Sequence, residues 1–232
     1  MSIRNLTVYS DFLDKITDQK INIKNKIMQN TKARANIYAL ISRVLLQELD
    51  EDMLNIIKSD ENILDFFPTL KEWKPLNEES DNKLLEEYLN PDFVNLSLLH
   101  LIPYETFYTR EDQKIETGGA NPVTDIYSAY NFMVDYEVSR TVSSDHIGIE
   151  LEFMHHLVEA ELKALEDNNK DAVDELRNVQ KEFLNKHLLQ WAPMYLINVK
   201  YEARTPLYYD VADLALEFIL NDNEYLVKEL SH

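Results

Sequence analysis

The 232-residue chain has no cysteine and only 3 glycines. The first absence excludes disulfides, thiolate metal sites and a cysteine nucleophile, and it suits a reducing compartment. The second leaves no room for a glycine-rich phosphate loop or a dinucleotide fingerprint, which need several glycines in fixed register. Long apolar runs are missing too. None approaches the ~20 residues of a membrane span, and Met1-Ser2-Ile3-Arg4-Asn5 opens no continuous apolar core of an export signal, so no membrane insertion and a cytoplasmic location are expected. Positive charge is scarce: 23 Lys+Arg stand against 42 Asp+Glu, and the net charge of −19 disfavours nucleic acid while attracting cationic partners.

What is present is a large apolar complement, 45% hydrophobic with 10% aromatic, enough for a folded core rather than a disordered chain. Apolar residues recur at steps of three and four, and no persuasive strand or hairpin appears. The expectation is an all-α protein, a single globular helical domain of about ten helices over 31–232, preceded by an N-terminal helical extension over 1–30. In that extension Phe12, Ile16, Ile23 and Ile27 support one or two short helices. Ala33 to Leu49 is the first core helix. Asp50, Ser59 or Asp60, and Asp81 start short helices after it, and Pro91 opens another. Pro193 is expected to interrupt a later helix, and Thr205-Pro206 begins the last one.

The chain is organised around Ser143–Leu165. Ile147, Leu151, Met154, Val158, Leu162 and Leu165 form one stripe, and Ile149, Phe153, Leu157 and Ala160 widen it past half the circumference, so this helix is central. Ser144 or Asp145 can cap it. His146 and Glu150 point into the apolar arc one turn apart, whereas Glu152, His155, His156, Glu159 and Lys163 fall on the wet side. A polar pair in such an arc has two readings. His146 bonds Glu150 or a backbone carbonyl, with Asp145 a cap; or Asp145 and His146 hold a ligand or a partner's cation.

Upstream, Tyr104-Glu105-Thr106-Phe107-Tyr108 opens a polar stretch reaching Gly118-Gly119, either a surface loop with docked aromatics or a functional one. After it Asn121-Pro122 restarts helix, with Ile126, Tyr127, Tyr130, Met133 and Val134 inward. Downstream, His187 shares a stripe with Val173, Leu176, Val179, Phe183 and Trp191, which suits a core histidine donating to a carbonyl.

Three blocks together resemble the TorD/DmsD family of redox-enzyme maturation chaperones. Ser144-Asp145-His146-Ile147-Gly148-Ile149-Glu150-Leu151-Glu152-Phe153-Met154 is similar to that family's Glu-Pro-x-Asp-His signature and following helix, with Val142-Ser143 where the pattern has Glu-Pro. Phe183-Leu184-Asn185-Lys186-His187-Leu188-Leu189-Gln190-Trp191 is similar to its His-Leu-x-x-Trp element, and Thr205-Pro206-Leu207-Tyr208-Tyr209 to the Pro-Phe-Tyr entry of its last core helix. Pro103-Tyr104-Glu105-Thr106-Phe107-Tyr108 resembles the aromatic segment before its hinge loop. The likeness runs from Ala33 to Leu220.

It implies a cytoplasmic, non-enzymatic chaperone, with no cofactor of its own. Its partner is the apo catalytic subunit of a molybdenum-cofactor oxidoreductase of anaerobic respiration, its twin-arginine signal peptide, or both, with export delayed until the cofactor is in. The protein would act as a monomer or a helix-exchanged homodimer. An arginine fork meets a carboxylate in two charge-assisted bonds. On that reading Asp145 and Glu105 receive the leader's guanidiniums, His146 orients Asp145 or donates to the peptide, and Tyr104, Phe107 and Tyr108 line the apolar side. Glu150, His187 and Trp191 stay structural.

Two rival classes remain. Glu152 and His155 have the Glu-x-x-His spacing of a helical-bundle metal enzyme, with Glu159 one turn on; the other such pair, Glu229 with His232, is at the C-terminus. The third class is a helical scaffold domain without an export role.

Overall fold

The computed structural model describes residues 3–230, with the side chains of 3–21 and 23 left aside. Among the described residues the architecture is all-α, and the one extended pairing is an isolated bridge between Tyr104 and His146. The helices are α1 (Ile3–Leu46), α2 (Glu51–Ser59), α3 (Glu61–Leu64), α4 (Pro68–Lys71), α5 (Lys74–Glu78), α6 (Asp81–Lys83), α7 (Asn90–Val94), α8 (Glu105–Thr109), α9 (Thr124–Ala129), α10 (Tyr136–Ser139), α11 (Ile147–Glu166), α12 (Lys170–Phe183), α13 (Leu189–Glu202) and α14 (Pro206–Glu229). π-helical turns at Leu84–Leu89, Asn95–His100 and Leu184–Leu188 split runs that periodicity reads as single helices.

α1 is continuous through residues 30 and 31, because its sequence contains neither proline nor glycine to stop it. The side chains of Phe12, Ile16 and Ile23 lie outside the described residues, and Ile27 is half-buried. Pro193 lies inside α13 rather than ending it. Its missing N–H falls just after the Leu184–Leu188 turn, where the hydrogen-bond ladder already changes register. Asp50 and Asp60 cap α2 and α3 as the sequence suggests, whereas α6 is capped by Ser80 rather than Asp81. Met133 is 90% exposed, not inward, since α9 ends at Ala129 and the chain turns away through Asn131 at φ 55°.

α11 is the axis of the molecule. α1 lies antiparallel along it, with Gly148 against Leu46 at one end and Lys24 bonding Asn168 at the other. A Cβ on Gly148 would meet the Leu46 Cβ at 2.6 Å, and the Gly148 carbonyl accepts from Ser42 Oγ at 2.7 Å, so glycine sets how closely the two helices approach. Contrary to the wheel, His155 and His156 are half-buried. Their rings bond the carbonyls of Ala35 (3.0 Å) and Tyr130 (2.9 Å), because α1 and the segment after α9 cover that side as well.

Farther along α11, Glu161 is fully buried and joins a charged network that periodicity gives no sign of. Glu161 accepts from Arg34 of α1 (2.9 Å), from Arg177 of α12 (2.7 Å) and from Gln180 (3.0 Å). Arg34 also pairs with Asp222 of α14, which accepts from Tyr38 at 2.7 Å. Four helices are thereby fixed in one register, and each buried charge has an opposite partner. Removing one partner leaves the others uncompensated. Glu161→Gln is expected to lower unfolding free energy by about 3–5 kcal/mol, and Gly148→Ala by about 1–3 kcal/mol, both measured by urea unfolding. An unchanged midpoint for Glu161→Gln would show that the network contributes nothing net.

Candidate functional site

Asp145 lies just ahead of α11 and is completely buried. A buried carboxylate must be hydrogen-bonded throughout, and this one is. Oδ2 accepts from the Thr106 N–H (2.8 Å) and the Thr106 hydroxyl (2.6 Å); Oδ1 accepts from Asn121 Nδ2 (3.0 Å) and the Ser143 hydroxyl. Around it, Glu105 N–H donates to the Asp145 carbonyl and Ile147 N–H to the Pro103 carbonyl, both at 2.9 Å. Asn121 Nδ2 also donates to the Glu116 carbonyl at 2.9 Å, closing the loop after α8 onto the entry of α11. With four donors satisfied inside the chain, the Asp145 carboxylate presents no open acceptor to a guanidinium.

His146, not Ser144 or Asp145, caps α11: its Nδ1 accepts from the Gly148 N–H at 3.1 Å, which makes Nδ1 the unprotonated nitrogen. It therefore bonds neither Glu150 nor the Asp145 carboxylate. Burial pushes the ring pKa from 6.5 down to about 3, against the opposing pull of Asp145. The ring packs edge-on to Tyr104, with centroids 5.1 Å apart.

Glu150 sits one turn deeper, fully buried, and accepts from the Trp191 indole N–H at 3.3 Å. Burial first, then the nearby charges of Glu105 and Asp145, push its pKa well above the carboxylate range. Its Oε1 has no hydrogen-bond partner. Glu105 is buried and also accepts from His187 Nδ1 at 3.0 and 3.2 Å. The partner of His187 is thus a carboxylate rather than a carbonyl. Tyr108 stacks on Trp191 at 5.4 Å, and Phe107 meets Tyr108 edge-on at 5.2 Å. Glu105, Phe107 and Tyr108 consequently belong to a packed cluster with Glu150, His187 and Trp191.

Tyr104 and His146 alone of the predicted contacts line an open groove of about 440 Å³ beside the end of α1. Leu98 and Val138 line it too, 70% and 65% exposed. Its accessible carboxylates, Glu48 and Asp50, escape a reading based on apolar periodicity because both fall in the turn after α1. Arg43 Nη2 holds Asp50 at 2.8 Å and its Nη1 reaches the Glu48 carbonyl at 3.0 Å. Arg140, 81% exposed along its side chain and left-handed at φ 55°, is 4.0 Å from Glu48.

The Glu-x-x-His pairing assembles no such site. Glu152 is exposed, His155 bonds a backbone carbonyl, and Glu229 pairs with Arg177, while His232 lies outside the described residues. Among the described residues no group of three or more His, Asp or Glu side chains is arranged to hold a metal ion, and no helix is long and apolar enough to cross a membrane.

The family model described as nitrate reductase delta subunit matches residues 58–196. Curated relatives called chaperone protein TorD match over most of their lengths. The protein of Vibrio atlanticus is 27% identical over 221 residues, covering 87% of this chain and all of its own. That of Vibrio cholerae El Tor Inaba is 28% identical over 211 residues (83% and 91%), and that of Aliivibrio fischeri 24% over 221 residues (88% and 100%). No solved structure matches the chain significantly.

Asp145→Ala removes the acceptor of four bonds and is expected to cost about 3 kcal/mol or more, read as a lower denaturant midpoint; an unchanged midpoint would contradict the hub. Since the folded His146 holds a proton less readily than the unfolded one, its contribution is complete above pH 6.5 and lost as pH falls toward about 3. His146→Asn, which keeps a capping oxygen, should flatten the acid side of the stability profile. Glu150 has the opposite sign: its raised pKa contributes below its ordinary 4.5 and is lost as pH climbs through the folded value, so Glu150→Gln should flatten the alkaline side.

Proposed function

The chain belongs to the nitrate reductase delta subunit family, which includes the TorD/DmsD chaperones, and from that premise we propose that it is a maturation chaperone for a molybdenum-cofactor oxidoreductase. It binds the apo catalytic subunit through its twin-arginine leader and holds back export until the cofactor is in place. It is a binding protein rather than an enzyme, in keeping with relatives named as chaperones.

The observation that supports the reading best is the groove at Tyr104 and His146, where exposed apolar side chains and accessible carboxylates meet. A twin-arginine leader carries paired guanidiniums ahead of an apolar run. Glu48 and Asp50 offer the acceptors, Leu98 and Val138 apolar contact for the residues beside the arginines. The guanidinium sites assigned to Asp145 and Glu105 from sequence move to Glu48 and Asp50, because the first two are buried and bonded inside the chain, whereas Glu48 is exposed and Asp50, although it caps α2 and holds Arg43, keeps most of its side chain open to solvent. Asp145 keeps a role as the group that holds Tyr104 and His146 at the groove. The surrounding negative charge speeds encounter with a cationic leader, and salt weakens it.

The test is titration of the purified protein with a synthetic twin-arginine leader and with the same peptide carrying glutamine for both arginines, at low and physiological salt. Saturable binding that weakens roughly tenfold or more on arginine replacement is expected. Leu98→Asp with Val138→Asp should weaken the native leader comparably without shifting the melting temperature, both side chains being largely exposed. Equal binding of both peptides, or no loss in the double variant, would remove the groove as the leader site.

A further inference from the structure

Arg43 lines two grooves. Beyond it, away from Tyr104, a second groove of about 510 Å³ runs between α1 and α2–α3. Its floor is almost wholly apolar. Ile37 and Leu40 of α1 form a half-buried stripe, Ile63 faces them, and Ile56 and Phe66 are 49% and 40% exposed at the edge. Among the described residues no helix covers this stripe.

The surroundings carry a strong sign. From Asp50 to Asp65 there are six exposed carboxylates; Lys71 pairs with Glu61 and Asp65 and Arg43 with Asp50, which leaves Glu51, Asp52 and Asp60, while Lys58 is held by Asp81. Arg43 is the one cation among the residues lining this groove, and Asp50 neutralises it. The field at this face therefore favours an occupant with positive charge next to its apolar part. The continuity at Arg43 also matters. Carbonyls at the end of α1 and the Asp50 carboxylate already form a guanidinium site there, filled by the chain's own arginine.

We propose that the α1/α2–α3 groove is a second client subsite, taking the apolar run of the same peptide whose guanidiniums engage Glu48 and Asp50. The proposal rests on the leader-binding reading above. Between Ala33 and Arg43 the groove follows α1 for ten residues, about 15 Å at the rise of an α-helix, which a run of about ten helical or five extended residues spans. As the peptide docks, Arg43 exchanges Asp50 for solvent and a client guanidinium replaces it.

The test uses the whole chain, methyl-labelled at isoleucine, leucine and valine, and a synthetic peptide of two adjacent arginines followed by about ten apolar residues. A spin label is placed at the far end of the run in one sample and beside the arginines in another. The first label is expected to quench the methyls of Ile37, Ile56 and Ile63, and the second those of Leu98 and Val138. Ile56→Asp with Phe66→Asp should weaken binding about tenfold while the peptide truncated after its arginines binds as before. Saturable binding with quenching confined to Leu98 and Val138 would overturn the second subsite and leave the leader site intact. No binding would overturn both, and Ile56 and Ile63 signals that shift with protein concentration alone would give the groove to a second copy instead.

Discussion

The Asp145 carboxylate is the constraint on which the presentation of this molecule's surface depends. It is wholly buried, so its oxygens are satisfied only while Thr106, Asn121 and Ser143 keep donating to it. Those donors come from three places in the chain, and satisfying them pins the segment around Tyr104, the loop through Glu116 and the entry to α11 against one another. The Tyr104–His146 bridge and the His146 cap then follow as local consequences. A side chain that looks like a ligand for something outside is instead the tie that holds the outer surface in shape.

Charge is buried at both ends of α11, by two different means. Near the start, burial first and then the charges of Glu105 and Asp145 raise the pKa of Glu150, while Trp191 donates to Glu150 and His187 to Glu105. Toward the end, Glu161 is paired with two arginines. Either arrangement carries specificity, because a helix sliding by one turn would strand a polar group in the core. Ahead of both, in the first turn of α11, the contact of Gly148 with Leu46 sets the distance of α1. The grooves lie on the side of α1 turned away from α11 and around its C-terminal end.

The fold class was legible because apolar spacing at three and four residues persists along nearly the whole chain, and the resemblance placed its last core helix correctly at Pro206. The π-helical turns were not legible: a single inserted residue in the ladder leaves apolar periodicity almost intact while shifting its phase. At the site, sequence picked out the right neighbourhood and exchanged the roles. Asp145 and Glu105 read as exposed acceptors because one sequence cannot show that Thr106, Asn121 and His187 reach them from 39, 24 and 82 positions away. Glu48 was passed over and Asp50 read only as a helix cap for the converse reason, since carboxylates in a turn are ordinary until the structure shows them bordering an apolar recess. Arg34, Glu161 and Asp222 look like surface charges on amphipathic helices, and only packing reveals that they face one another.

The central claim is that a client binds the grooves flanking the end of α1 while the Asp145 hub stays closed. Hydrogen exchange resolved by mass spectrometry, on the protein alone and with the apo catalytic subunit of its client, tests it directly. The account predicts slowed exchange in residues 43–66, 95–104 and 136–142, with the amides of Thr106 and Ile147 slow in both states. Protection confined to α12–α14, or fast exchange at Thr106 and Ile147 on binding, would contradict it.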